Sequence, residues 1–215
     1  TRRAIRQGKY MLIRNAIDLE RFSFSEETRK AMREEQGLTD RVVIGHIGRF
    51  SPQKNHLRIL TIFAQVRKLI PNAVLVLIGE GGLTAAVKAR AEELGLSDVV
   101  RLVPPVSNTS PWYQAMDLFL LPSVWEGLPV VAIEAQATGL PCVMSTAVTA
   151  ETKVTDAVRF VSLEKTDSEW AAQIKGLLDE QRPRGGTTAQ LREAGYDICL
   201  ESEKLQRVYE QLAAK

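Results

Sequence analysis

Two carboxylates and two cations are the strongest candidates for contact with a ligand. Glu134 lies among Val130, Val131, Ala132, Ile133, Ala135 and Ala137. A carboxylate there is costly unless hydrogen bonds are donated to it. Its two acceptor oxygens suit a vicinal diol such as a ribose; the other reading is a helix glutamate whose tip reaches water. Glu126 precedes Gly127 and a helix start at Pro129. Free N–H groups at a helix start attract anions, so a phosphate or a sugar hydroxyl is the natural guest. Gly48, Arg49 and Lys54 flank a strand-to-helix turn. Glycine admits a ligand close to the backbone, and an arginine fork beside a lysine point charge suits a diphosphate. Taken alone, the same two cations also read as solvated surface residues.

Other candidates are weaker. The run Gly79, Glu80, Gly81, Gly82 lacks the full G-x-G-x-x-G pattern and fits either a tight turn or a ligand contact. His46, in an apolar strand just before Gly48, is either a satisfied core histidine or a ligand-facing one. Trp125 either stacks on a ligand or packs beside its loop. No His/Cys/Asp cluster has metal-ligand spacing, and Ser123 lacks the G-x-S-x-G elbow.

The elements that must position these residues alternate. Apolar runs at Val42–Ile47, Val74–Ile78, Val99–Val103, Leu118–Leu121, Pro141–Met144 and Val158–Val161 read as buried strands. A further short run, Lys9–Ile13, is strand-like. Helices are expected over Glu26–Gln36 (capped by Ser25, closed by Gly37), over a segment with Leu57, Leu60, Phe63, Val66 and Ile70 at helical spacing, and over Thr84–Leu94, Asn108–Met116 and Val130–Thr138. One more is capped by Ser168, and residues 187–215 are helical with a break near Gly195. Continuous rather than alternating apolar strands between helices predict an α/β, doubly wound, Rossmann-like parallel sheet of about six strands. In such sheets ligands bind beyond the carboxyl ends of the strands. Gly48–Arg49, Gly79–Gly82 and Ser123–Gly127 all fall at those ends.

Composition narrows the class. The chain has 215 residues, is 45% hydrophobic and carries a net charge of +2. That balance gives no basis for nucleic acid or an anionic membrane as partner. The basic residues Arg2, Arg3, Arg6 and Lys9 form a short run that reads as a solvated segment. Two separated cysteines, Cys142 and Cys199, suggest no disulfide framework and point to a reducing compartment. No apolar run has membrane-span length.

Taken together, these residues resemble a known family. Glu126 and Glu134 match the E-x7-E pair of retaining glycosyltransferases with the GT-B fold, family 4. The stretches Leu121–Val143 and Gly48–His56 are similar to those of bacterial members that build capsular and extracellular polysaccharides. Residues 14–22 resemble the segment after the interdomain linker. The resemblance implies that residues 1–215 are the C-terminal, donor-nucleotide-binding half of a GT-B fold, with 1–22 as post-linker segment and 198–215 as a terminal helix returning toward an absent N-terminal, acceptor-binding domain.

It further implies that Arg49 and Lys54 bind and stabilise the donor diphosphate, that Glu126 faces the transferred sugar and that Glu134 holds the ribose. The segment of Gly127, Leu128, Pro129, Val130 and Val131 would line sugar or phosphate oxygens with the amides it has, while Val103 and Pro105 border the base. The donor implied is a UDP-sugar, transferred with retention, without cofactor or bound metal. The implied location is cytoplasmic, with membrane contact at the inner face open only to the full-length protein, and with no nucleic acid partner. Two departures stand out: Ala16 and Pro104–Pro105 occupy places where the family often has glycine, at the hinge and the base pocket. A nucleotide-sugar epimerase of the same fold and a non-catalytic nucleotide-binding module are the alternatives.

Overall fold

The computed structural model describes residues 11–213. Six strands form one parallel sheet: β1 (Val42–Ile47), β2 (Ala73–Ile78), β3 (Val100–Val103), β4 (Leu118–Leu121), β5 (Cys142–Ser145) and β6 (Val158–Val161), in the order β3-β2-β1-β4-β5-β6. The helices are α1 (Glu26–Glu35), α2 (His56–Leu69), α3 (Thr84–Glu93), α4 (Ser110–Ala115), α5 (Val130–Ala137), α6 (Asp167–Asp179), α7 (Thr188–Glu193) and α8 (Ile198–Ala213). Successive strand residues feed two separate cores. Val43 and Phe119 pack with Ile133 on one face; Ile44 and Leu118 pack with Phe63 and Trp170 on the other. A strand buried on both faces has no solvent side to alternate toward, which is why the inner strands β1, β2, β4 and β5 carry no acidic, lysine or arginine side chain, while the edge strands β3 and β6 admit Arg101 and Arg159. The strand order reverses between β1 and β4, so a crevice opens where the loops after those two strands diverge.

Several expected boundaries shift for physical reasons. Of the run Lys9–Ile13, Lys9 and Tyr10 lie outside the described residues, as do Arg2, Arg3 and Arg6, and Met11–Ile13 is not a strand. Helix α6 is capped by Thr166, not Ser168: the Thr166 hydroxyl accepts from the Glu169 N–H, and the Glu169 carboxylate accepts from the Thr166 N–H. That reciprocal box satisfies two orphan donors at once. On α2 the buried face is Ile59, Leu60, Ile62, Phe63 and Val66, while Leu57 is exposed. The α4 helix runs only from Ser110 to Ala115, and Pro129 stands at the N-cap of α5 rather than inside it. Cys142 is buried and Cys199 exposed.

Helix α4 is short, and its C-terminal carbonyls have no intrahelical donors. Three guanidinium groups supply them. Arg29 donates to the Gln114 and Met116 carbonyls (2.8 Å each), Arg33 to that of Ala115 (2.7 Å), and Arg184 to those of Tyr113, Gln114 and Met116 (3.0, 3.1 and 2.7 Å). Arg29 and Arg33 also pair with Asp117, whose carboxylate accepts the Val43 N–H at 2.7 Å. Cations at a helix C-terminus also complement its dipole. Burial, and then the neighbouring Arg29, bring Arg184 down to about 9, so it stays protonated at neutral pH. Removing a donor from buried carbonyls leaves them unsatisfied, so Arg184→Ala should lower stability by about 2–4 kcal/mol. A fall in the urea midpoint with an unchanged slope is the expected reading; an unchanged midpoint would deny the clamp its role.

Candidate functional site

A cavity of about 750 Å³ opens beyond the ends of β1 and β2. Gly48, Arg49, Gly79, Glu80, Pro105 and Thr109 are among its walls. Its size suits a small-molecule ligand. The glycines here serve packing first. Gly79 has φ +137°, and a Cβ on it would lie 2.2 Å from the Gly48 carbonyl oxygen. The two loops are laced by Gly48 N–H to Ile78 O (3.0 Å) and Phe50 N–H to Glu80 O (2.8 Å). Gly79 therefore lets the loop after β2 lie against the loop after β1 and also faces the cavity, joining the two readings the sequence offered. Arg49 is exposed on the rim, and among the described residues its guanidinium makes no hydrogen bond or ion pair.

Lys54 and Glu126 meet directly. The ammonium lies 2.6 Å from Glu126 Oε1, with the side chains 16% and 8% exposed. The second carboxylate oxygen accepts from the Gln53 amide at 3.2 Å, and the same amide donates to the Trp125 carbonyl at 3.0 Å. Val124 N–H to Gln53 O (2.8 Å) and the Asn55 amide to Pro122 O (3.0 Å) complete a staple between the turn at Pro52–Lys54 and the loop after β4. Lys54 and Arg49 are thus not a free pair of cations: one is open and the other is engaged by the carboxylate expected to face a sugar. Trp125 is 58% exposed, so it does not pack beside its loop.

Glu134 resolves differently. Its Oε2 accepts a 2.8 Å hydrogen bond from the hydroxyl of Tyr113, a wholly buried side chain on α4. Burial raises the Glu134 carboxyl above the ordinary range, while the Tyr113 hydrogen bond and the nearby Arg21 pull it back. The donor that a carboxylate on an apolar helix requires is therefore a phenol. Nothing about Tyr113 in the sequence distinguishes it from a core aromatic, and Gln53 likewise has no signal of its own.

The remaining candidates divide by atom. Leu128, Val130 and Val131 turn their side chains toward the core, and so does Val103 at the end of β3. At the start of α5, only backbone groups are left for a ligand. Pro129 has no N–H and supplies shape alone, while Gly127 is exposed and open. Among the described residues, no group of three or more His, Cys, Asp and Glu is placed to hold a metal ion, and no helix is long and apolar enough to cross a membrane.

His46 and His56 form a buried pair beneath this site, their rings edge-on at 4.8 Å. His46 Nδ1 lies 2.8 Å from the Leu120 carbonyl, so that nitrogen carries the proton and donates. His46 Nε2 and both nitrogens of His56 have no partner among the described residues. His46 is the core histidine of the two readings, with one of its nitrogens satisfied.

Sequence and structure comparisons assign a family and a fold. The family profile described as glycosyl transferases group 1 matches residues 28–197. A putative glycosyltransferase, EpsF of Bacillus subtilis (strain 168), is 32% identical over 201 residues, covering 92% of this chain and 52% of the relative. An Escherichia coli UDP-Gal:alpha-D-GlcNAc-diphosphoundecaprenol alpha-1,3-galactosyltransferase is 34% identical over 145 residues, covering 64% and 36%. The chain thus spans about half or less of the length of these relatives. HepE of Anabaena, solved in complex with UDP, superposes with a TM-score of 0.73 at 22% identity, covering 98% of this chain and 60% of that one. At that identity the likeness shows the fold, one half of a GT-B architecture. Nothing in these comparisons supports the epimerase alternative.

The histidine pair generates a pH prediction. Burial, then Lys54, lower His56 from 6.5 to about 4; burial, then His56, hold His46 well below its usual value. The unfolded chain therefore binds more protons between pH 6.5 and 4, and stability is lost as pH falls through that window. By pH 5 the His56 contribution amounts to about 2 kcal/mol. Urea midpoints measured from pH 7.5 to 5 should fall, and His56→Leu should flatten part of that slope; an equal slope in the variant would refute the assignment.

Proposed function

The chain belongs to the glycosyl transferases group 1 family, and we propose that it is the C-terminal half of a retaining hexosyltransferase, the half that binds the nucleotide-sugar donor. The observation that carries this reading is the convergence at one sheet edge. The cavity after β1 and β2, the open Arg49, the Lys54–Glu126 pair and the Glu134 carboxylate all lie at the carboxyl ends of the strands, around the point where the strand order reverses.

In this reading the base enters the cavity beside Pro105, with Val103 behind it. Glu134 accepts the ribose hydroxyls through its free oxygen. Arg49 holds the diphosphate, which takes over Lys54 from Glu126; the released carboxylate oxygen then meets a hydroxyl of the transferred sugar. The N–H groups of Gly127, Leu128, Val130 and Val131, at the positive end of α5, face the polar oxygens between sugar and phosphate. Fixed cations stabilise the charge that develops on the departing diphosphate. Sugar and nucleophile then meet on one face, so the anomeric configuration is retained. UDP is the nucleotide favoured by the resemblance of the chain, and a polysaccharide precursor is the acceptor. Acceptor recognition falls to an N-terminal domain, toward which α8 offers Leu205, Tyr209 and Leu212, all exposed. Any contact with the inner face of the membrane belongs to the longer protein.

Calorimetry with UDP and GDP tests the reading. Arg49→Ala should lose binding by at least tenfold, while Glu126→Gln should bind nucleoside diphosphate as well as or better than wild type, because the diphosphate no longer has to displace a carboxylate from Lys54. Failure of the wild-type chain to bind either nucleotide would overturn the proposal. The chain alone should transfer sugar at a small fraction of the full-length rate, and comparable turnover would show that the acceptor site is already here.

A further inference from the structure

Glu134 owes its orientation to one neighbour. The Tyr113 hydroxyl is 2.8 Å from Glu134 Oε2, and that is the one side-chain hydrogen bond of Glu134 among the described residues. Tyr113 has no freedom of its own. Its ring is fully buried, with Phe22 edge-on at 6.0 Å and Phe119 tilted at 5.8 Å. Its carbonyl is held by Arg184, and the next carbonyls along α4 by Arg29 and Arg33. The loop leading into α4 carries Pro105 and Thr109, two walls of the cavity. One rigid element therefore follows a cavity wall and orients the Glu134 carboxylate.

Building on the donor-binding reading above, we infer that Tyr113 is a positioning residue for ribose recognition: its hydroxyl fixes one oxygen of Glu134 and leaves the other free to accept from the ribose diol. A carboxylate on α5 without that anchor has χ angles to spare and would spend part of its time pointed elsewhere. The anchor is also chemically one-sided. A phenol O–H donates to a carboxylate, so it favours the charged form of Glu134, which is the form able to accept from two hydroxyls. Arg21, the other charged group near Glu134, acts in the same direction from the segment before α1. It is exposed, however, and its guanidinium is bonded to Asn108 and to the Ser107 carbonyl instead.

The test is Tyr113→Phe, which keeps the ring and removes only the donor. Affinities are measured by calorimetry for whichever of UDP and GDP the wild type binds, and for its 2′-deoxy counterpart, from pH 5 to pH 8. A hydrogen bond to a charged group is worth roughly tenfold or more in affinity, so the variant should bind the ribonucleotide about tenfold more weakly and the deoxynucleotide nearly as before. The ribose preference collapses, and the acid limb of binding moves to higher pH because Glu134 has lost a group that favoured its charge. The titration of the ligand's own phosphate is common to both proteins and cancels in the comparison.

A purely structural role for Tyr113 would weaken both nucleotides alike and leave the acid limb in place, which overturns the inference. Glu134→Gln provides the cross-check: adding Tyr113→Phe to it should cost no further ribose preference. If the wild type binds no nucleoside diphosphate, the donor-binding reading fails and this inference with it. A wild type that prefers the ribonucleotide, beside a Tyr113→Phe variant with equal preference, refutes the role of Tyr113 alone.

Discussion

The architecture hangs on Asp117. Its carboxylate receives Arg29, Arg33 and the N–H of Val43, and its own N–H donates to the Val43 carbonyl at 2.8 Å. That single residue ties the start of β4 to the start of β1 at the place where the sheet reverses its order. β1 and β4 share only two paired positions, Ile44 with Leu118 and Gly45 with Phe119. A short ladder leaves the relative placement of the two strands weakly specified, and a half-buried ionic node at their amino ends helps to fix it. The residues proposed to touch a ligand lie toward the opposite, carboxyl edge of the sheet. The node is remote from the chemistry and still sets the spacing between Arg49, on the loop after β1, and Glu126, on the loop after β4.

The same arginines explain why α4 can be both short and rigid. A six-residue helix is marginal by itself, and its exposed carbonyls would ordinarily be left to water. Guanidinium forks satisfy them in the interior, where hydrogen bonds are stronger and unmet ones costlier. The result is a helix whose register is fixed from its C-terminal end. Its N-terminal end, with Thr109 beside the cavity, inherits that order, and so does Tyr113 in its middle.

Much of this was legible in the sequence because it rests on pattern. Apolar runs between helices announced a doubly wound parallel sheet, and the resemblance carried by Glu126 and Glu134 pointed to a nucleotide-sugar site. The apolar flanks of Glu134 required a donor that only the structure could name. What stayed hidden were the pairings. Arg29, Arg33 and Arg184 look like ordinary solvated cations until the fold brings carbonyls, and for the first two Asp117, to them across 68 residues and more of chain. Lys54 and Glu126 each carry a clear signal, but that they neutralise one another depends on the staple made by Gln53 and Asn55. Ser168 and Thr166 are equally good caps by type, and the reciprocal bond with Glu169 decides between them. Such cases turn on three-dimensional partners, which residue type and spacing do not encode.

On the donor-binding reading, the two glutamates would let one sheet edge support two kinds of recognition. Arg49 and Lys54 are balanced in formal charge by Glu126 and Glu134, so these four side chains do not make a strongly positive funnel, and the long-range attraction they exert on an anion is correspondingly modest. Selectivity must come from exchange of partners at contact. Lys54 already has a carboxylate, held in place by Gln53, and a diphosphate must offer more than that carboxylate to take it. An uncharged alcohol or a lone sugar cannot make that exchange, whereas a diphosphate presents several anionic oxygens to Arg49 and Lys54 together. Glu134 faces the opposite demand. Its partner is a neutral phenol that no anion displaces, so its geometry is the same before and after the charges rearrange. On the donor-binding reading proposed above, such a site is rigid where hydroxyls would dock and exchangeable where charge would dock, and the division follows from the choice of a phenol for one carboxylate and an ammonium for the other.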